Sequence, residues 1–459
     1  MMEMLTNLVT QSGVDATQLS AILLGVLFLT MIIGLATGQE LAFVLGGAGV
    51  VIGYLAWGGP GITIAMTKVY DQMQSYSMVA IPMFVLMANF LTHSKVADGL
   101  FLSIRYLLGP LKGGLGLAVI VVSTVFAATT GIVGASVVTM GMLSVPVLLK
   151  CGYKPSLACG MVCAGGSLGI LIPPSIMLVS MGSYANVSVG KIFFAAIVPG
   201  LVLSLFYMIY VFVICHIHPD YGPAMSAEEL AAMPLGERIT GSLVNLIPPV
   251  VIMMIFGVLG SIFGGIATPT EAAGVGAFFA LILAIFYKQF SFKMLYDSLI
   301  DTAKTSAMVF IILFGASAFT GIFMSLDGDQ LIATWISSVG IGKWGAFAIM
   351  MAIVFVMGMF LDWLGIVMIV FPIFLPIMDM FGFDRLWIVA VTAVMLQTCF
   401  MTPPFGFALF YIKGIVPPEV KIQEIYRGVI PFILIIIAVV VLVTIFPQVV
   451  YFLPNLVAS

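Results

Sequence analysis

Charge is what this chain has least of. Asp, Glu, Lys and Arg make up 8% of its 459 residues, hydrophobic residues 62%, and the formal net charge is −3. Soluble domains carry roughly a quarter charged residues, so the composition excludes one and identifies a polytopic membrane protein. So small a net charge gives no hold on nucleic acid. Histidine is scarce: His93, His216 and His218 stand at the ends of apolar segments, without a ligand pattern. The five cysteines (Cys151, Cys159, Cys163, Cys215 and Cys399) lie in or beside apolar runs. Cys159 and Cys163 share a helix face, but no further ligand is near, so they read as small core residues. His-Glu-x-x-His and Gly-x-x-x-x-Gly-Lys-Ser/Thr are both missing, and no histidine pair lies within an apolar run, which removes the usual zinc proteases and ATP hydrolysis. The first twenty residues hold acids but no Lys or Arg, and no small-residue cleavage site follows. The first apolar run is therefore expected to stay as a membrane helix rather than leave as a secretory signal.

What the chain does have is long apolar runs, some of them interrupted. Single helices are predicted at Ser20–Ala36, Leu41–Trp57, Tyr76–Leu91, Lys191–Ile217, Val244–Ile266, Thr270–Tyr287, Thr302–Met324 and Gly428–Tyr451, with shorter amphipathic or interfacial stretches at Pro60–Gln74 and Lys288–Ser298. The run Gly114–Leu149 is too long for one crossing and is cut by Thr129-Thr130-Gly131 and Gly134-Ala135-Ser136. Its halves, about 15 residues or about 22 Å each, fall short of a core of about 30 Å. A re-entrant hairpin is the preferred reading over two full crossings. Next comes Pro155–Tyr184, which Pro173-Pro174 must unwind near its centre.

The same order recurs after a polar linker. Trp344–Met378 is interrupted at Gly358–Gly365, and Trp387–Ile412 at Thr402-Pro403-Pro404-Phe405-Gly406. In lipid an unmade backbone hydrogen bond costs several kcal/mol, so such breaks occur only inside protein or around a watery site. Close packing of small residues is the competing reading of any single break; paired breaks in corresponding halves point to a transporter site. The fold expected is an all-α polytopic membrane protein, an inverted repeat with two re-entrant hairpins and two Pro-Pro broken helices, of elevator type. Its parts are 1–113 (scaffold helices), 114–217 (first transport repeat), 218–243 (polar cytoplasmic linker, with a capping box at Ser226–Glu229), 244–343 (second scaffold part) and 344–459 (second transport repeat). Following the chain through these elements puts twelve of the sixteen Lys and Arg on one face, leaving only Lys68, Lys191, Lys343 and Arg385 on the other. The positive-inside rule makes the first face cytoplasmic and both termini periplasmic. Trp57, Trp335, Trp344 and Trp387 are expected as interfacial aromatics near helix ends.

Four segments carry a resemblance: Gly131-Ile132-Val133-Gly134-Ala135-Ser136, Leu168-Gly169-Ile170-Leu171-Ile172-Pro173-Pro174-Ser175, Ala267-Thr268-Pro269-Thr270-Glu271-Ala272-Ala273 and Thr402-Pro403-Pro404-Phe405-Gly406. With them nearly the whole chain resembles the large membrane subunit (DctM-type, or M subunit) of tripartite ATP-independent periplasmic (TRAP) transporters. The resemblance implies an elevator-type carrier in the bacterial inner membrane, driven by a sodium gradient and needing no other cofactor. It implies a separate small four-helix membrane subunit (DctQ-type) and a soluble periplasmic binding protein (DctP-type) as partners. The substrates it implies are organic acids such as C4-dicarboxylates and sialic acid. The first hairpin tip departs from the Ser-Gly-Ser-Ser-like tip of many members, being richer in Thr and Ala.

Such a site needs oxygens for sodium and donors for a carboxylate. Unwound carbonyls and hydroxyls supply the first, helix N-termini the second. One sodium is expected at Thr129, Thr130, Gly134 and Ser136 with carbonyls near Gly169 and Pro173. Another is expected around Asp362 and Gly365 with Thr398 and Thr402. The organic acid is expected between the tips, near Ser136, Ser175 and Thr402. Each hydroxyl has the alternative of bonding to its own helix. Asp362 reads first as the cap of the half-helix that follows and next as an ion ligand, two roles that are compatible, and Glu271 reads as part of a helix start. A stand-alone ion-coupled anion carrier is the runner-up function. A structural scaffold would leave the repeated breaks unexplained.

Overall fold

The computed structural model describes residues 16–458 apart from 95, 132, 232–233, 258–267, 339 and 405, and the side chains of Thr129, Thr130 and Trp335 lie outside the described set as well. Among the described residues the secondary structure is helical, without strands. In chain order the helices are α1 (Ala16–Ala36), α2 (Leu41–Trp57), α3 (Gly59–Met73), α4 (Ala80–His93), α5 (Val96–Leu108), α6 (Gly114–Thr130), α7 (Val133–Lys150), α8 (Pro155–Ser167), α9 (Ile176–Ala185), α10 (Val189–Ile217) and α11 (Ala227–Ala231). They continue as α12 (Leu235–Gly257), α13 (Pro269–Phe286), α14 (Phe292–Ser325), α15 (Gly328–Ser338), α16 (Lys343–Met357), α17 (Trp363–Met380), α18 (Arg385–Met395), α19 (Phe407–Lys413), α20 (Ile422–Ile445) and α21 (Gln448–Ala458). Among the described residues six helices (α1, α7, α10, α14, α17 and α20) are each long and apolar enough to cross a membrane.

Helix ends follow local chemistry. Thr268 caps α13 through a capping box: its Oγ1 accepts the Glu271 N–H at 3.3 Å, and the Glu271 carboxylate accepts the Thr268 N–H at 2.6 Å. Ser226 and Glu229 make the same exchange at the start of α11, at 3.2 and 3.4 Å. Asn186, in the left-handed region at φ 53°, closes α9.

Several elements differ from the sequence expectation. Phe292–Ser298, the larger part of the stretch expected at Lys288–Ser298, joins Thr302–Met324 in one 34-residue helix, α14, because nothing between them breaks a helix. At about 1.5 Å per residue it exceeds a hydrocarbon core of about 30 Å, so its charged first half reaches beyond the apolar region. The helix expected at Val244–Ile266 starts earlier, at Leu235, and its expected end lies outside the described residues. The last expected helix is two, broken before Pro447. Helices α5 and α15 were not expected from the sequence. Trp387 is 4% exposed rather than interfacial, because every residue of α18 after Arg385 is buried. Trp344, at the start of α16, is exposed as expected.

The residues gather into two compact units. The first holds Met1–Tyr76, Lys304–Ile353 and Leu364–Arg385. Small residues let its backbones meet: a Cβ at Gly49 would lie 2.9 Å from the Phe319 nitrogen, and one at Gly315 would overlap the Ala42 carbonyl. Phe28 sets its ring edge-on to Phe319 and Phe323, both at 5.9 Å. At one end Arg385 pairs with Asp379 at 2.5 Å.

The second unit holds Ser77–Ala303, Val354–Trp363 and Leu386–Ser459. Here α4 packs on α13, α5 on α12, and α8 is enclosed by α6, α7, α19 and α20. The crossing of α8 and α20 is backbone on backbone. A Cβ at Gly160 would overlap the Gly428 carbonyl, and one at Gly428 the Ser156 carbonyl. Tyr207 of α10 meets the Phe432 ring of α20 at 5.2 Å. The linker after α10 is bonded back onto the helices it leaves. Gly113 N–H donates to the Gly222 carbonyl (2.9 Å), Lys154 N–H to Tyr221 (3.1 Å), and Met225 N–H to Gly109 (3.0 Å). The Lys154 ammonium also donates to the Tyr221 hydroxyl at 2.7 Å.

The α8–α20 crossing gives a direct test. Gly428→Ala forces a methyl group into the Ser156 carbonyl, and overpacking of this kind costs about 1–3 kcal/mol. Its apparent melting temperature in detergent should fall by several degrees. Gly274→Ala, whose Cβ meets nothing within 4 Å, should leave the melting temperature unchanged or raise it.

Candidate functional site

The site is built from four residues that lack an N–H. In an α-helix each carbonyl is bonded by the N–H four residues on. Pro173 and Pro174 therefore deprive the Gly169 and Ile170 carbonyls of donors, and Pro403 and Pro404 do the same to Cys399 and Phe400. The chain answers alike in both places. Helix α8 tightens into a 3₁₀ turn at Leu168–Ile170 and α18 into one at Leu396–Phe400. The Leu168 carbonyl accepts from Leu171 N–H and Ile172 N–H, both at 3.0 Å, and the Thr398 carbonyl accepts from Met401 N–H (3.0 Å) and Thr402 N–H (2.9 Å). The Pro173-Pro174 and Pro403-Pro404 bonds are both cis. After each break a helix restarts, α9 at Ile176 and α19 at Phe407.

The breaks differ in one side chain. Ser175 caps α9, accepting the Leu178 N–H at 3.3 Å, and its hydroxyl donates to the Ile170 carbonyl. One of the two stranded carbonyls is thus satisfied. Phe405 stands in the matching place of the second break and carries no hydroxyl. Among the described residues nothing donates to the carbonyls of Gly169, Cys399 or Phe400.

In this second unit the interruption after α6 and the one after α16 each lie against the break that follows in the chain. Gly131 turns between α6 and α7 at φ 62°, and a Cβ there would lie 3.0 Å from the Pro174 carbonyl. A Cβ at Gly358, at the tip after α16, would lie 3.0 Å from the Cys399 Cβ. The halves also meet. Gly134 approaches the Tyr411 ring of α19, at 3.1–3.3 Å from its Cβ position, and the Cys163 thiol points at the Ala408 carbonyl at 3.6 Å.

Against this geometry the comparisons are specific. Residues 25–449 match the family model described as the DctM component of the tripartite ATP-independent periplasmic transporter. The chain belongs to this family. It is 30% identical to the C4-dicarboxylate TRAP transporter large permease protein DctM of Pseudomonas aeruginosa over 84% of its own length and 88% of that protein's. It is 29% identical to the large permease of the ectoine/5-hydroxyectoine TRAP transporter of Ruegeria pomeroyi, over 94% of this chain and 99% of that one. Among solved structures it resembles the Alcanivorax borkumensis YdaH transporter, with a TM-score of 0.64 at 13% identity, covering 89% of this chain and 97% of that chain. That likeness is one of fold.

With family membership established, the residues singled out from the sequence can be placed. Ser136 is buried on α7 and Ser175 is buried as the cap of α9. Gly169 lies inside the first 3₁₀ turn and Pro173 directly after it. Thr398 and Thr402 are brought together: the Thr402 hydroxyl donates to the Thr398 carbonyl at 2.7 Å, and the Thr398 hydroxyl donates to Met395 at 2.8 Å. Both therefore present oxygen lone pairs to their surroundings. Asp362 is half-buried and stands immediately before α17, while Gly365, in the first turn of α17, belongs to the first compact unit. Thr129 and Thr130 end α6. Two neighbours went unnoticed in the sequence: Tyr411, against the first tip, and Gln397, buried inside the second 3₁₀ turn. Gln397 carried a signal, as a lone amide in an apolar run; Tyr411 carried none.

The first tip makes a prediction. Gly131→Ala places a residue in the left-handed region, at about 1–2 kcal/mol, and also presses on the Pro174 carbonyl. Gly382 shares a positive φ (66°), but a Cβ there would meet nothing within 4 Å. Gly131→Ala should therefore lower the apparent melting temperature further than Gly382→Ala; equal losses would mean that the tip does not rest on the break.

Proposed function

We propose that this TRAP large permease carries an organic acid inward across the bacterial inner membrane, coupled to a sodium gradient and dependent on a periplasmic binding protein and a small four-helix membrane subunit. The observation that carries the reading is the pair of matched breaks, each with a carbonyl that no described group satisfies and each approached by the glycine of the interruption before it. Donor-free carbonyls inside a membrane protein suit a hard cation, while helix starts suit an anion. The relatives above are named for a C4-dicarboxylate and for ectoine, both carboxylates, which supports an organic acid as cargo.

In this reading one sodium is held at the first tip and break, by Thr129, Thr130, Gly134 and Ser136 with the Gly169 and Pro173 carbonyls. A second is held by Asp362, Thr398 and Thr402, all in the second unit. The organic acid lies near Ser136, Ser175 and Thr402. Thr398 and Thr402 fit the cation role better than the anion role, because their protons are spent on backbone carbonyls. Ser175 acts on the anion through α9, which it caps, since its own hydroxyl is engaged. Residues 114–217 and 344–459 form the two inverted transport repeats and move as an elevator against 1–113 and 244–343. Residues 218–243 are cytoplasmic and both termini periplasmic.

Proteoliposome uptake tests this. The chain with its small subunit should take up a labelled organic acid only when an inward sodium gradient and the binding protein are both supplied. Uptake without the binding protein would favour a stand-alone carrier, and uptake that ignores sodium would refute the cation assignments. Thr402→Val, close in size but without the hydroxyl, should raise the half-saturating sodium concentration about tenfold, the equivalent of about 1.4 kcal/mol.

A further inference from the structure

We propose that Asn245 and Asn89 are positioning residues for transport: each pins a helix that leads toward an interrupted run, α5 in one case and the first part of α14 in the other, to a frame made by α4, α12 and α13. The inference rests on the transport reading above and adds two residues that hold neither cargo nor ion in it.

The two contacts are built alike. Asn245 of α12 donates through its side-chain nitrogen to the Gly99 carbonyl (3.2 Å) and the Ser103 hydroxyl (3.0 Å). Asn89 of α4 donates in the same way to the Ser298 carbonyl (3.3 Å) and the Thr302 hydroxyl (3.0 Å). In both, the hydroxyl donates to that same carbonyl four residues back, Ser103 to Gly99 at 3.0 Å and Thr302 to Ser298 at 2.6 Å. Its proton is thereby spent, and a lone pair is left for the amide. An asparagine amide has two hydrogens, and both go to one helical turn, so the contact resists sliding and rotation of that turn. Gly99 makes room for it: a Cβ there would lie 2.9 Å from the Asn245 Oδ1.

The helices that receive these bonds do not need them. The Gly99 and Ser298 carbonyls lie inside α5 and α14, where the N–H four residues on serves each, and each has a hydroxyl besides. A leucine would fill the place of either asparagine without burying a polar group. What the amide supplies is attachment.

Position in the chain assigns its use. Helices α4 and α12 both pack on α13, so both asparagines are mounted on one frame. Helix α5 ends at Leu108, shortly before α6 opens the first interrupted run at Gly114, and it packs on both α6 and α7. Helix α14 carries the chain toward α15 and α16, and Ala303, next to Thr302, is the last residue of the second unit before the chain passes into the first. In the reading above the repeats move against 1–113 and 244–343, and both pinned turns belong to the part that stays. A pinned helix passes the pull of the moving repeat to the frame; an unpinned one yields to it. Among the described residues neither asparagine bonds to an interrupted run or to a break. Loss of a pin therefore slows the movement and leaves binding alone.

The test is sodium-driven uptake by the reconstituted complex of this chain with its small subunit and binding protein, with labelled C4-dicarboxylate and labelled ectoine as cargo probes and the melting temperature measured alongside. Asn245→Leu and Asn89→Leu keep the size of the side chain and remove its donors. Each should lower the maximal uptake rate about fivefold, the order of one interhelical hydrogen bond in lipid, and leave the half-saturating cargo and sodium concentrations unchanged. Ser103→Ala added to Asn245→Leu should cost nothing further, because the two act as one contact. Gly99→Ala favours the helix but displaces the amide, so it should slow uptake as Asn245→Leu does, and it reads the pin even if Asn245→Leu folds poorly. Thr92→Val removes a hydroxyl of α4 that bonds within its own helix, to the Ala88 carbonyl at 2.8 Å, and should transport at the wild-type rate. A lower melting temperature with an unchanged rate would reduce the asparagines to packing, and a shifted half-saturation would put their effect at the cargo or ion site; either overturns the proposal. A wild-type complex that takes up neither probe would overturn the transport reading itself, and the proposal with it.

Discussion

A proline inside a membrane helix strands the carbonyl four residues before it, and no water is at hand to repair the loss. This constraint organises the second unit. Two consecutive prolines strand two carbonyls, so α8 and α18 must each end in a turn that uses whatever N–H groups remain. A helix so damaged cannot face lipid. After their first residues α8 and α18 are buried almost throughout, and Gly131 and Gly358 lie against the stretches where their ladders fail. The close crossing of α8 and α20, glycine against backbone, belongs to the same solution: it encloses a helix that would be costly to expose.

The two breaks share a hydrogen-bond pattern but not a polarity. At the first, Ser175 returns a proton to one stranded carbonyl and caps the following helix in the same act. At the second, Phe405 offers no such proton, and Gln397 adds an oxygen of its own. The first break is thus the better satisfied of the two and the second the richer in uncommitted acceptors. Two breaks of one backbone pattern can in this way differ in the polarity they present.

Much of this was legible in the sequence, and the parts that were not share a cause. The breaks at Pro173-Pro174 and Pro403-Pro404, the interruptions near Gly131 and Gly358 and the caps at Thr268 and Ser226 rest on local chemistry, which a sequence states directly. Helices α5 and α15 escaped notice because neither is a long apolar run, and long apolar runs were the signal followed. The break before Pro447 was hidden inside such a run. Trp387 was misplaced because an aromatic residue near a helix end looks the same whether that helix ends in headgroups or inside protein; only tertiary packing decides. At the site, the positions of Thr398, Thr402 and Ser175 were legible, but the direction of their hydroxyl protons was not. That direction depends on which carbonyls the neighbouring backbone leaves open, and it decides whether a hydroxyl suits a cation or an anion.

The segment between the two halves does more than connect them. Its three backbone bonds, to Gly109, Gly113 and Lys154, hold the open end of the first hairpin as a buckle holds a belt. The span from His218 to Met225 is therefore of fixed measure. A residue inserted there would slip every bond after it out of register. Length variation between the halves has to be absorbed beyond Met225, in the stretch leading to α12, where added residues leave the buckle closed.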